Sequence, residues 1–234
     1  MSAVTASAAP LPPAAPPFAH SAAEATALPP VTNFMPEAIP APPKISVEAY
    51  LEWERDSETR HEYFKGEIIT MAGETIKHNR IAFNCSVCFE NAFGDRACTV
   101  CMEGVRLRVS LDQYRYPDVI VLCGEPETDA GNPPCVLNPE VIIEVLSAST
   151  ESKDRGEKFA EYRNIPTLTD YVMVAQDRVF AEHCVRDSPA QWTLTRYTSL
   201  DDTLNFAALG VTMTLREMYR KTALTAPPEP PPAE

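Results

Sequence analysis

The chain reads as a mixed β-sheet flanked by helices, of the α/β or α+β kind. Three observations predict it. Helical and strand periodicities follow one another in the order helix, strands, long helix, three strands, helix, strands. The segment PEVIIEVLS, residues 139–147, is apolar on both faces, as a strand at the centre of a sheet is. No internal repeat is visible, which excludes a solenoid or propeller.

Each element has its own signal. SVEAYLEWERD starts with Ser46 as N-cap and spaces Val47, Tyr50, Leu51 and Trp53 for a helix. HEYFKGEIITMAG reads as two short strands, or a hairpin, around Lys65-Gly66. HNRIAFNCSVCFENAFG carries Ile81, Phe83, Cys85, Cys88, Phe89 and Phe93 on a broad apolar stripe, with Gly94 as its stop. CTVCMEGVRLRVS sets Val105, Leu107 and Val109 against Arg106, Arg108 and Ser110, the alternation of a half-buried strand. YRYPDVIVLCG is a second strand and PEVIIEVLS a third. STESKDRGEKFAEYRNIP is a helix with Ser149 or Thr150 as N-cap and Pro166 beyond its end. LTDYVMVAQD, RVFAEHCVRD and QWTLTRYTS are successive strands, and LNFAALGVTMTLREMYRKT closes with a strand or turn and a short helix.

The 234 residues suit one domain with tails. Residues 1–43 are rich in Pro and Ala with almost no charge, a composition that does not bury enough surface to offset its ordering entropy, so a disordered arm is expected. The Pro-rich stretch 224–234 is expected to behave likewise, leaving 44–223 as the folded domain. A net charge of −13 argues against binding nucleic acid through bulk charge alone. No apolar run approaches the ~20 residues that span a bilayer, and the first residues lack the basic start of a signal peptide. A cytoplasmic protein, not a membrane one, is the expectation. The odd count of seven cysteines then suggests reduced thiols. Cys85/Cys88 and Cys98/Cys101 have the CxxC spacing of zinc ligands. The first pair falls inside a helix and the second at a strand start, where i and i+3 point to opposite faces, so no zinc is expected.

Glu144 interrupts the run Val141, Ile142, Ile143, Val145, Leu146. An ionised carboxylate buried alone costs several kcal/mol, so it needs a partner or a raised pKa. Asp118 opens the apolar part of the preceding strand, directly after Pro117. Neighbouring strands bring side chains within ~5 Å, and two carboxylates at that distance suit a hard divalent cation such as Mg2+. On the following helix Asp154, Lys158 and Tyr162 share one face, from which Lys158 can reach back. Two acids and a lysine around a metal are the parts of a phosphodiesterase. A structural salt bridge is the bland alternative.

YPDVIV, PEVIIEVLSAST and DRGEKFAEYRNIPTLTDYVMVAQD, with RHEYFKGEIITMAG, HNRIAFN and LGVTMTLREMY around them, resemble the Uma2 family of restriction-type endonucleases, in the PD-(D/E)XK superfamily. The resemblance covers nearly all of 45–220. It implies a restriction endonuclease-like αβββαβ core starting with the long helix from about His78. It implies Asp118 and Glu144 as catalytic metal ligands for Mg2+ or Mn2+, and DNA as substrate. The superfamily's lysine position, two past Glu144, holds Leu146, and Lys158 is the candidate replacement. Lys153, in the helix's first turn, is the runner-up and is expected to be solvated. Glu62, His78 and Tyr162 are supporting candidates: Glu62 as a third acid or a surface carboxylate, His78 oriented into the site and kept neutral by a helix N-terminus, or simply an exposed end residue. Ser147 and Ser149 are expected to cap and turn the chain. Arg106, Arg108, Arg115, Lys153 and Arg155 are expected to supply a local basic track for DNA, and a homodimer would address both strands of a duplex. The alternative from another class is a catalytically inactive accessory or interaction protein of the same fold.

Overall fold

The structure, a computed structural model, describes residues 44–225 apart from residue 72. The arm expected over 1–43 and most of the tail expected over 224–234 lie outside the described residues. Helix α1 (Val47–Arg55) starts where Ser46 Oγ accepts the Ala49 N–H at 3.2 Å. It leads to the hairpin β1 (His61–Phe64) and β2 (Glu67–Thr70). Lys65 and Gly66 both take positive φ, 48° and 98°, in the tight turn between them. The long helix α2 (Ile76–Phe93) begins two residues before His78, because Thr75 Oγ1 caps it by accepting the His78 N–H at 3.1 Å.

Two expected strands are each divided. CTVCMEGVRLRVS forms β3 (Cys98–Met102) and β4 (Leu107–Ser110). YRYPDVIVLCG forms β5 (Gln113–Arg115) and β6 (Val119–Cys123), broken at Pro117, which has no N–H for a ladder. The chain changes sheets at these breaks. β2-β1-β5-β4 make a four-stranded sheet, and β3 and β6 belong to the main one. The expected alternation also fails at Arg106, which is buried at 3% exposure.

β7 (Val141–Leu146) is buried along its whole length at the centre of the six-stranded order β10-β9-β8-β7-β6-β3. It pairs antiparallel with β6 and parallel with β8 (Asp170–Ala175). A parallel neighbour demands a crossover. The crossover is helix α3, which runs as Glu151–Lys153, a π-helical stretch Asp154–Lys158 and Phe159–Tyr162. Neither Ser149 nor Thr150 caps it in the expected way. Thr150 has helical dihedrals and makes no side-chain cap, while the Ser147 carbonyl accepts the Thr150 and Glu151 N–H groups. β9 (Ala181–Ser188) and β10 (Gln191–Tyr197) complete the sheet. The hairpin β11 (Thr203–Phe206) and β12 (Val211–Thr214) leads into α4 (Leu215–Met218), started by a Thr214/Glu217 capping box. The order α2, β3, β6, β7, α3, β8 is the αβββαβ core, with β4 and β5 as an excursion into the second sheet.

Period-two alternation assigns the two faces of the sheet. Val119, Val121, Val141, Ile143, Val145 and Val172 pack with α2, α4 and the β11–β12 hairpin. Ile120, Leu122, Ile142, Leu146 and Met173 pack with Tyr162, Ile165 and Leu168 under the crossover. Glu144 has the parity of Ile142 and Leu146, so it faces α3. Cys98 and Cys123 are opposite in the β3–β6 register and form a disulfide, which corrects the expectation of reduced thiols for that pair. The second CxxC element is thereby divided between a disulfide and free Cys101. No described helix is long and apolar enough to cross a membrane.

Ile143 is fully buried on the central strand. Ile143→Ala is expected to cost about 2–5 kcal/mol of unfolding free energy by urea titration, as for other buried aliphatic truncations. A loss below about 1 kcal/mol would contradict this packing.

Candidate active site

Where Pro117 ends the β5 stretch and β6 begins, Asp118 occupies the mouth of the β6–β7 pair. Its Oδ2 accepts the Val145 N–H at 2.5 Å, satisfying a backbone donor that β6 does not reach. The same oxygen lies 3.3 Å from His78 Nε2, and His78 Nδ1 lies 3.1 Å from Glu74 Oε2. Glu74, His78 and Asp118 offer ligand atoms within 4.8 Å of one another, a group that could hold a metal ion. Glu74 is the residue sequence reading missed. Its signal was the i, i+4 spacing to His78 at a helix start.

Glu144 is met from α3. Lys158 Nζ donates to its Oε1 at 2.9 Å, and Tyr162 Oη donates to the same oxygen at 2.8 Å. Lys158 also lies 3.1 Å from Asp154 Oδ1 and 3.6 Å from Glu62 Oε1. Glu62 is buried rather than a surface carboxylate, held by Arg115 Nη1 and Lys153 Nζ, each at 2.8 Å. Lys153 is therefore an ion-pair partner at the site, correcting the expectation of a solvated side chain. Ser147 and Ser149 share a hydrogen bond of 3.0 Å and turn the chain into α3, as expected.

One cavity of ≈ 600 Å³ gathers Asp118, Glu144, Lys158, Glu62 and His78, with Lys153 and Glu74 also on its wall. Tyr162 lies behind Glu144, fully buried. Glu144 shares the cavity with Asp118 but is not one of the three clustered ligand groups.

Burial sets much of the electrostatics. It pushes the Glu144 carboxyl up to about 8, against the pull of Lys158 and with the repulsion of Asp118 adding to it. Burial also acts to discharge Lys158, but Glu144, Glu62 and Asp154 outweigh it and hold the ammonium well above its usual value. Of the pair, Lys158 is the member that keeps its charge, because two further carboxylates face it. Burial would raise Glu62, yet Lys158, Arg115 and Lys153 draw it down to about 2. Burial would lower His78, yet Asp118 and Glu74 carry it up to about 10. The expectation of a neutral His78 is corrected: two carboxylates outweigh the N-terminal dipole.

The expected basic track is corrected at four of its five members. Arg115 is fully buried among Glu62, Glu157 and Glu161. Arg108 faces Asp129, Lys153 faces Glu62, and Arg155 pairs with Glu151 and Glu182. Internal acids neutralise these cations.

Fold and site together define a protein of the nuclease-superfamily fold with a candidate metal-binding cluster. Comparison with known proteins names the group. Residues 47–216 match the family described as "Uma2: Putative restriction endonuclease". The chain is 34% identical over 163 residues to the uncharacterized protein sll1609 of Synechocystis sp., spanning 69% of this chain and 92% of that one. It is 32% identical over 182 residues to the uncharacterized protein slr1290 of the same organism, spanning 77% and 94%. A solved structure described as a putative nuclease from Anabaena variabilis superposes with a TM-score of 0.62 at 15% identity, covering 75% of this chain and 97% of that one, which shows a shared fold. The chain belongs to the Uma2 family, within the PD-(D/E)XK-like superfamily.

The ion pairs at Glu62 give the site an acid-dependent contribution to stability. The folded pKa, about 2, lies below the ordinary glutamate value of 4.5. The contribution, about 3 kcal/mol, is therefore full above pH 4.5 and disappears as the pH falls through about 2. Urea unfolding from pH 7 to pH 2 is expected to show wild type losing about that much more than Glu62→Gln. Parallel curves would exclude it.

Proposed function

We propose that this chain is a metal-dependent endonuclease that hydrolyses DNA phosphodiester bonds, using Mg2+ or Mn2+ and the catalytic residues Asp118, Glu144 and Lys158. The observation that carries the reading is the reach of Lys158 across the crossover to Glu144, 2.9 Å away, in the cavity that also holds Asp118. A lysine charge is thus supplied to a site whose usual lysine position is the buried Leu146.

The donor set fits a divalent cation. Asp118 and Glu74 offer the carboxylate oxygens that Mg2+ and Mn2+ prefer, and the buried Nδ1 of His78 has no well-formed hydrogen bond. His78 adds a nitrogen ligand only on giving up the proton that the two carboxylates hold on it, so cation binding would release a proton. An ion bound there supplies Lewis acidity toward a phosphoryl oxygen and a more acidic bound water. The chain's own residues do the rest. Lys158 holds a fixed positive charge where a phosphoryl group gains negative charge in the transition state. Tyr162 and Lys158 fix the orientation of Glu144 Oε1, and Glu144 exchanges its proton in the neutral range.

One observation favours the competing reading of a catalytically inactive accessory protein. Glu144 is clasped by Lys158 and Tyr162 and stands apart from the three clustered ligand groups.

The two readings separate by calorimetric titration of Mg2+ and Mn2+ alongside nicking of supercoiled plasmid. Metal binding is expected in wild type and at least tenfold weaker in Asp118→Asn. Nicking is expected to fall below detection in Glu144→Ala and by roughly 10²–10³ in Lys158→Met, the scale of a lost transition-state donor. A wild-type chain that binds no metal and nicks no DNA leaves the accessory reading standing.

A further inference from the structure

Among the described residues, three basic side chains other than histidine are buried, and two of them, Arg115 and Lys158, lie among carboxylates. Arg106 does not. It is 3% exposed, and among the described residues no ion pair joins it to an acid. Its Nε donates to Cys135 Sγ and its Nη2 to the Pro133 carbonyl, each at 2.9 Å. Its guanidinium carbon lies 5.9 Å from the rings of Tyr50 and Tyr114. Nη1 is buried with no hydrogen-bond partner. Burial raises the Cys135 thiol, so that neighbour supplies no counter-charge near neutral pH. A buried cation without an anion is costly, which marks the place where an anion is missing.

Arg106 lines a cavity of ≈ 260 Å³, with Arg60, Arg55, Gly104, Tyr116 and Glu54 around it. Glu54 is committed elsewhere. Its Oε1 accepts from the His61 N–H and Tyr116 Oη, and its Oε2 lies 2.9 Å from His61 Nδ1. Arg55 is paired with Asp56. Arg60 is exposed, with its guanidinium 5.9 Å from the Tyr116 ring and no carboxylate partner among the described residues. Tyr116 lines both this cavity and the one holding Asp118 and Glu144. A third cavity shares Arg60, Gly104 and Tyr116 with the first and Glu74, Tyr116 and Asp118 with the second.

We propose that the Arg106–Arg60 cavity is a phosphate-binding subsite, which holds a phosphate of the DNA strand flanking the one cut at Asp118. The naming of that phosphate's donor rests on the nuclease reading above. Arg60 and Arg106 are positioning residues here: they fix the strand, and the chemistry stays with the neighbouring cavity.

Metal-free binding of a single-stranded oligonucleotide, followed by fluorescence anisotropy across a salt series, tests it. Arg60→Ala is expected to weaken binding about tenfold and to make the slope of log K against log salt shallower by about 0.7, one phosphate contact. Arg106→Met is expected to do the same. Because Arg60 is exposed, its variant carries the test even if Arg106→Met fails to fold. In metal-dependent nicking both variants should raise KM rather than lower kcat. Inorganic phosphate, added in a thermal-shift measurement, is the second probe. If phosphate stabilises wild type while Arg60→Ala keeps full affinity and slope for the strand, the cavity takes free phosphate and the strand subsite is overturned. Unchanged strand binding with no phosphate effect overturns it as well. Failure of the nuclease reading shows separately, as absence of metal-dependent nicking by wild type.

Discussion

The contact between Lys158 and Glu144 sets conditions on much of the rest of the site. A carboxylate on the central strand of a six-stranded sheet is almost cut off from bulk water, so its counter-ion must come from whatever covers that face of the sheet. The parallel pairing of β7 with β8 dictates what the cover is, because the crossover that parallel pairing requires lays α3 across it. The π-helical stretch Asp154–Lys158 lies at this point of α3, where Asp154 and Lys158 are both buried and 3.1 Å apart. One ammonium then serves Glu144, Asp154 and Glu62, three acids from three elements.

The same economy explains how an acidic chain keeps so many cations without a basic surface around its site. Arg115 is spent inside, on Glu62, Glu157 and Glu161, and ties the second sheet to α3. Lys153 adds a second tie to Glu62. These bonds make the cavity wall rigid, since breaking one partner of a buried pair strands the other. They also leave few cations for a polyanion, which gives Arg60 and the uncompensated Arg106 their interest.

Much of the fold was legible because its signals are local. Ser46, the Lys65-Gly66 turn, Gly94 and the apolar run at 141–146 each act within a few residues of themselves. The breaks were less legible. CTVCMEGVRLRVS and YRYPDVIVLCG each look like one strand, but the chain leaves one sheet for the other in the middle of both. Alternation implies exposure for Arg106 only if the strand has one wet face, and here α1 and the Cys135 segment cover it. The Cys98–Cys123 pair joins residues 25 apart, and only the β3–β6 register makes them opposite.

The sequence by itself determined which residues are anomalous. A carboxylate within an apolar strand and an aspartate behind a proline are readable without coordinates, because burial of charge is costly wherever it occurs; the leucine where a lysine is usual stands out through the resemblance to the family. Sequence also carried the family, whose match spans residues 47–216. Only the tertiary structure decided the partners. Lys158 meets Glu144 across fourteen residues, Arg115 meets Glu161 across forty-six, and Glu74 and His78 meet Asp118 from another element. Such pairings depend on sheet order and helix placement, and electrostatic attraction carries no label of sequence distance. For that reason the candidate metal-binding group came out as Glu74, His78 and Asp118, with Glu144 given to its lysine.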